Sequence, residues 1–211
     1  ISDILSLLMM QNGTVMSDDF GNPTFQRIPS EMTDITTPPG LDAAIFYSDF
    51  ANPQKDVYTW NDAQPNALEA FVTGKTAMYL GYHYDLDTIK TRAPKLKFGI
   101  APVPQVVEGG NRNFANYWML GVSQKSKHKD IAWDFLLGLT TNPKAAKGYL
   151  DATGKPTALR SLITAQSEDD NVGVWANQIL TAQSWYRGAH VSDAEEAISE
   201  MIDTISTALK P

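Results

Sequence analysis

The sequence predicts an α/β protein, and three observations carry that expectation. From Asn66 to Tyr84 the apolar period switches from helical to extended within one short stretch. Lys95 to Ile100 then alternates polar and apolar residues, and Phe114 to Val122 (FANYWMLGV) is rich in strand-forming types. Around these runs lie helical stripes such as Ile131, Phe135 and Leu139, spaced by four.

The Asn66–Tyr84 stretch organises the rest. Leu68, Phe71 and Val72 recur at helical spacing, and Gly74 fits the left-handed position past a last turn. Ala77, Met78, Tyr79 and Leu80 form an unbroken apolar run, expected to be a strand buried on both faces. Gly81 ends it, so Tyr82, His83 and Tyr84 are expected at its carboxyl end, where open α/β sheets bind ligands.

Taken in order, the chain opens on a helix with Leu5, Leu8 and Met9 on its buried face, stopped by Asn12-Gly13. Residues 14–40, rich in Asp, Thr and Pro, read as a surface excursion with one short strand near 14–17. A second helix follows, with Leu41, Ala44, Ile45 and Ser48 on one face, ended by Pro53. Asp85 is placed to cap a short helix that must stop before Pro94. Leu96, Phe98 and Ile100 then share one side of a strand, and Glu108-Gly109-Gly110-Asn111 is a turn. Helices are predicted from about Lys129 and again after Asn142-Pro143, the latter closing near Gly154. Two more complete the chain, one carrying Val172, Trp175, Ile179, Ala182 and Tyr186, the other striped by Ala194, Ile198, Met201, Ile205 and Leu209.

Composition narrows the function classes. The 211 residues include 43% apolar types, with no run near the ~20 a membrane helix needs. A net charge of -7 argues against a nucleic-acid partner, which demands a basic surface. With no cysteine there is neither a disulfide, nor a thiolate metal site, nor a cysteine nucleophile. No phosphate-binding glycine loop and no G-x-S-x-G elbow is present, and no cofactor is expected. His83, Asp85 and Asp87 form an H-x-D-x-D string, read as helix-flanking residues rather than as a metal site. His128 and His190 sit in polar, loop-like contexts.

Aromatics are the more informative class. Trp60, Tyr82, Tyr84, Tyr117, Trp118, Trp175, Trp185 and Tyr186 fall mostly at element ends, unlike the mid-helix Trp133. Rings at a cleft stack on the C–H faces of sugars while neighbouring polar groups take the hydroxyls. Taken singly, each such ring is more often a packing residue than a ligand contact.

The order LDAAIFYSDFANPQKDVYTWNDAQPNALEAFVTGKTAMYLGY, then KLKFGIAPVPQ, then NYWMLGVSQKSKHKDIAWDFLLGLTTNPKAAKGYLDATGKPTALRSL resembles the extracellular solute-binding proteins of ABC importers, in particular the maltodextrin-binding-like sugar family. The resemblance implies the class II periplasmic-binding-protein fold, two α/β lobes joined by hinge strands with the ligand between them. It makes this chain similar to the C-terminal half of such a protein. Residues 1–117 and 161–211 would then form the C-terminal lobe, with 118–160 crossing the hinge and completing an N-terminal lobe. Most of the N-terminal lobe, and the first strands of the C-terminal one, would be supplied by a missing N-terminal half of the same protein.

The resemblance also assigns residues. Tyr82, His83 and Tyr84 follow the "GkaAM...g" strand that presents an aromatic to the ligand, and Trp175 matches a tryptophan on the helix after the second hinge crossing. Asn116, Tyr117 and Trp118 occupy a hinge segment where small residues are commoner. The implied function is non-enzymatic capture of a sugar or oligosaccharide and its delivery to a membrane permease. It implies an extracytoplasmic location, periplasmic or lipid-anchored at the cell surface, with the signal segment outside this chain. Two other readings compete: a glycan hydrolase using two carboxylates among Glu69, Asp85 and Glu108, and a fragment acting only as a scaffold. If residues 130–139 and 143–151 belong to an incomplete lobe, Ile131, Phe135 and Leu139 are expected to be partly uncovered.

Overall fold

The computed structural model describes residues 2–106, 110–185 and 190–208, except for the side chain of Val191. Glu108-Gly109, Tyr186 and Leu209 of the sequence reading lie outside the described residues. Helices α1 (Ser2–Gln11), α2 (Pro39–Asp49), α3 (Ala67–Val72) and α4 (Asp85–Arg92) precede strand β1 (Asn113–Phe114). Helices α5 (Lys129–Thr141), α6 (Pro143–Thr153), α7 (Arg160–Gln166) and α8 (Gly173–Gln178) follow. A 3-10 turn at Ile179–Thr181, strand β2 (Ala182–Gln183) and helix α9 (Val191–Ala208) come after them. Two contact units result. Unit 1 contains Ile1–Pro65, Pro104–Ala115 and Thr181–Pro211; unit 2 contains Asn66–Val103 and Asn116–Leu180. Residues 66–103 and 104–115, expected together in one lobe, fall in different units, so the units partition the chain differently from the lobes.

Unit 1 has a closed core. Leu5, Met9 and Met10 of α1, Ala43 and Ala44 of α2, and Ile198 and Ile202 of α9 are buried together with Met16. Each large side chain removed from water there contributes about 1.5–3 kcal/mol. The expected α1 face is observed at Leu5 and Met9, with Leu8 packed at the edge. The α2 face differs from expectation: Ala43 and Ala44 are buried, while Leu41 and Ile45 are exposed. Close approach explains this, because a Cβ on Gly40 would lie 2.3 Å from the Phe25 carbonyl oxygen, so the small residues of α2 face inward. Beside the helices, β1 pairs in parallel with β2, Asn113 opposite Ala182 and Phe114 opposite Gln183. Polar groups inside are matched: Trp185 Nε1 donates to Ser6 Oγ at 3.2 Å and Asn113 Nδ2 to Thr181 Oγ1 at 2.7 Å.

Unit 2 is all helix and extended chain. A small cluster joins α3 to α4: Ala70, Leu86 and Ile89 are buried, and Phe71 sits against Tyr79 at 5.9 Å and Phe98 at 6.0 Å between ring centroids. Arg92 Nη2 meets Glu69 Oε2 at 2.6 Å across the same pair of helices. Further along, α5 packs on α6, α6 on α7 and α7 on α8. Asn142 caps α6, its side-chain oxygen accepting from Lys144 N and Ala145 N, and Gly154 closes it in the left-handed conformation at φ 63°.

Three expected strands are corrected here. Ala77–Leu80 is not a buried strand: Met78 is 84% exposed and Leu80 is exposed too. Residues 115–122 are extended without a ladder, and of that run only Phe114, with Asn113, enters a strand. Residues 96–100 keep their alternation, Leu96, Phe98 and Ile100 half-buried and Lys95, Lys97 and Gly99 exposed, yet form no strand. The physical reason is common to all three: a strand buried on both faces needs neighbours to take its N–H and C=O groups and layers to cover it. Among the described residues no such neighbours flank these segments. Near residues 14–17 the strand reduces to one antiparallel bridge, Ser17 with Pro23.

Candidate functional site

Every site residue proposed from the sequence falls in unit 2. The local fold is set where α4 begins. Asp85 N donates to the Tyr82 carbonyl at 3.1 Å and Leu86 N to that of His83 at 3.1 Å, while Asp85 Oδ2 accepts from Tyr82 N at 3.0 Å. Tyr84 is the N-cap without a side-chain bond, so Asp85 acts from the first turn by reaching back, rather than as the cap residue. Its carboxylate also accepts the Tyr79 hydroxyl. Burial first, then this bond and the Asp85 charge, push the Tyr79 hydroxyl well above the usual phenol range. Gly81 makes room for it, since a Cβ there would come within 2.3 Å of the Tyr79 ring.

This folded-back turn sends the next three side chains two ways. Tyr82 and Tyr84 stack with centroids 5.4 Å apart and planes 25° from parallel. His83 instead meets Trp175 edge-on, at 5.2 Å and 89°. The Gly154 backbone at the end of α6 lies beside the imidazole and favours its charged form. The His83 pKa is lowered by burial above all, with Lys90 and Lys155 adding to that and Asp87 and the Gly154 backbone opposing it.

Trp175 lies on α8, where Gly173, Ala176 and the N-cap Val172 are buried and the indole is half-buried. The preceding turn is pinned by Asp169 Oδ1, which accepts from Asn171 N at 2.7 Å and Val172 N at 3.1 Å. Those bonds hold the Asp169 carboxyl below its usual range. Lys90 Nζ donates to Asn171 Oδ1 at 2.6 Å, a second tie between α4 and the start of α8.

The structure therefore pairs His83 with Trp175 and Tyr82 with Tyr84. It does not add Asn116, Tyr117 and Trp118 to them: all three are exposed, and neither Tyr117 nor Trp118 makes a ring contact among the described residues. Their chain is extended and lacks a strand partner that would set its direction. A shallow open cavity of about 420 Å³, lined by Val72, Thr73, Gly74 and Ala93 to Leu96, lies past the opposite end of α4. An eight-residue helix separates the two places by ~12 Å. Sequence reasoning missed the support under the aromatics: Tyr79, Gly154, and the Lys90–Asn171 tie. A Gly after an apolar run and an Asp three residues after Tyr82 were the only local signals of the turn.

Chemically these rings form a surface for stacking and hydrogen bonding. Asp85 is occupied by Tyr79 and Tyr82, and Glu69 is paired with Arg92, so these two carboxylates serve the fold. His83, Asp85 and Asp87 do not converge, and no group of three His, Asp or Glu among the described residues is placed to hold a metal ion. No described helix is long and apolar enough to cross a membrane.

The chain belongs to the bacterial extracellular solute-binding protein family: that family's model matches residues 3–146, more than half of the sequence. The match includes Tyr82 to Tyr84 and Asn116 to Trp118 and stops short of Trp175. No curated protein matches the chain. Membership makes this a component of solute transport acting outside the cytoplasm, in a family that is typically not enzymatic, and the helix-rich mixed structure is compatible with a periplasmic-binding-protein-like fold.

Proposed function

We propose that this chain captures a sugar or oligosaccharide for an ABC importer and hands it to the membrane permease. The observation that carries the reading is the two ring pairs on either side of one turn, His83 with Trp175 and Tyr82 with Tyr84. Two differently oriented ring pairs suit the alternating apolar and hydroxylated faces of a carbohydrate, and Tyr84 is 66% exposed. Asn116, Tyr117 and Trp118 belong to the proposed ligand surface as residues of the hinge segment. In this reading the fold is the class II two-lobed one, with 118–160 crossing between lobes 1–117 plus 161–211 and the N-terminal lobe. Opening about the hinge releases the solute.

The apolar residues of α5 support the two-lobed reading. Ile131, Trp133, Phe135, Leu137 and Leu139 are all exposed, although a broad apolar face of this kind is one that a helix buries against a core. The N-terminal half of the same protein is the proposed cover. Titration calorimetry of the intact protein against a panel of oligosaccharides tests the function. Trp175→Ala should weaken the best ligand on the order of 1–3 kcal/mol, as for other aromatic platforms. Unchanged affinity in a folded Trp175→Ala protein, or reducing ends accumulating from the bound glycan, would overturn it.

A further inference from the structure

We infer that His83 is a positioning residue for Trp175: it clamps the indole of α8 to the C-terminal cap of α6, so that the ring is held ready for a ligand. The inference rests on the solute-binding reading and refines it, because it removes His83 from the ligand contacts themselves.

The geometry is a three-element staple. His83 enters from the turn before α4, its ring meets Trp175 of α8 at 5.2 Å and near a right angle, and the Gly154 backbone lies close enough to act on its charge. Gly154 is itself fixed, in the left-handed conformation with its own N–H on the Leu150 carbonyl at 2.8 Å. The imidazole thus neighbours backbone as well as the indole. By contrast Tyr82 and Tyr84 touch each other, and Tyr84 is exposed. The indole sits on a six-residue helix, and the edge-on imidazole is a ring contact that fixes its orientation. A half-exposed ring free to rotate would lose rotamer entropy on binding; one already locked would not.

The electrostatic surroundings favour the same arrangement. Asp87 and Lys90 of α4 and Lys155 beyond α6 face His83, whereas α8 (GVWANQ) carries no titratable group. Two lysines against one aspartate, together with burial, disfavour the imidazolium. The neutral imidazole is thus favoured against the pull of Asp87 and the Gly154 backbone, which favour the charged form.

Fluorine NMR of the intact protein labelled with 5-fluorotryptophan tests this without any ligand. Trp175→Phe identifies the Trp175 signal. That signal should move through one titration with a midpoint below about 6.5, the ordinary histidine value. His83→Asn should abolish the titration, and because Asn keeps a polar group beside the Gly154 backbone it should preserve the fold. His83→Ala should broaden the signal or move it toward that of a solvent-exposed ring, and should weaken binding of a maltotriose or mixed oligosaccharide probe several-fold. A Trp175 signal indifferent both to pH and to His83→Ala overturns the inference. If the signal follows His83 while no oligosaccharide probe binds, the staple stands and the carbohydrate reading falls.

Discussion

The two units place similar apolar helices in opposite circumstances. In unit 1, Leu5 of α1 is 1% exposed, enclosed by α2, α9 and the loop carrying Met16. In unit 2, Ile131 and Phe135 of α5 are 70% and 68% exposed, with α6 packed alongside. Both helices carry hydrophobic residues at helical spacing. The difference is what lies across from them: α1 meets three elements from distant parts of the chain, α5 a neighbour from the adjoining sequence. An apolar stripe specifies that a face wants covering; it does not say which segment covers it.

Truncation at the two helices gives the largest expected contrast. Leu5→Ala should cost roughly 2–5 kcal/mol of stability, the range for deleting an enclosed leucine. Phe135→Ala in the same 211-residue chain should stay within about 0.5 kcal/mol, as for exposed positions. Urea midpoints of the two variants decide it. Equal losses would mean that α5 is enclosed after all and would break the comparison. A large Phe135 loss appearing only when further polypeptide is joined to the chain would sharpen it, and would identify what covers the face.

A smaller effect is expected where unit 2 does pack closely. Gly81→Ala would drive a methyl into the Tyr79 ring, displacing the hydroxyl that Asp85 accepts and the turn that presents Tyr82 to Tyr84. Overpacking of this kind costs about 1–3 kcal/mol. Near-ultraviolet circular dichroism should report altered tyrosine packing with α1 and its core unchanged. A spectrum and urea midpoint equal to the parent's would show that Tyr79 is not held where the contact places it.

The same contrast explains what was legible in the sequence. Helix positions followed from spacing and breakers: Asn142-Pro143 and Gly154 bound α6, as capping chemistry requires. The inward face of α1 at Leu5 and Met9 was readable too. Strands were not, because a strand is completed by partners that local sequence does not name. MYL at 78–80 has the composition of a buried strand, and Met78 is in solvent all the same. The face of α2 was misjudged because the residues that pack closest, Gly40 and Ala43, are the smallest and weigh least in a hydrophobic pattern. At the site, the aromatics were visible as residue types and their order was recognisable. Which of them meet, His83 with Trp175 and Tyr82 with Tyr84, depends on a turn built by Asp85 and on contacts some ninety residues apart.

The smallest expected effect is a pH dependence confined to unit 2. Burial lowers the His83 pKa in the folded protein below the ordinary value of about 6.5 that the unfolded chain retains. Between the two values the unfolded state binds more protons, so stability rises with pH across that window. The contribution is complete above about 6.5 and is lost as pH falls through the folded value. His83 is only half-buried, so the slope should be shallow. Hydrogen exchange locates it: amides of α4 and α8 should become less protected as pH is lowered from about 7 to 5, after correction for intrinsic exchange. His83→Asn should remove that trend, while α1, in the other unit and without a histidine in its packing, should be the same in both proteins. Loss of protection in α1 of the parent alone would mean that the histidine acts on the whole chain, and the two units would have to be treated as one cooperative body.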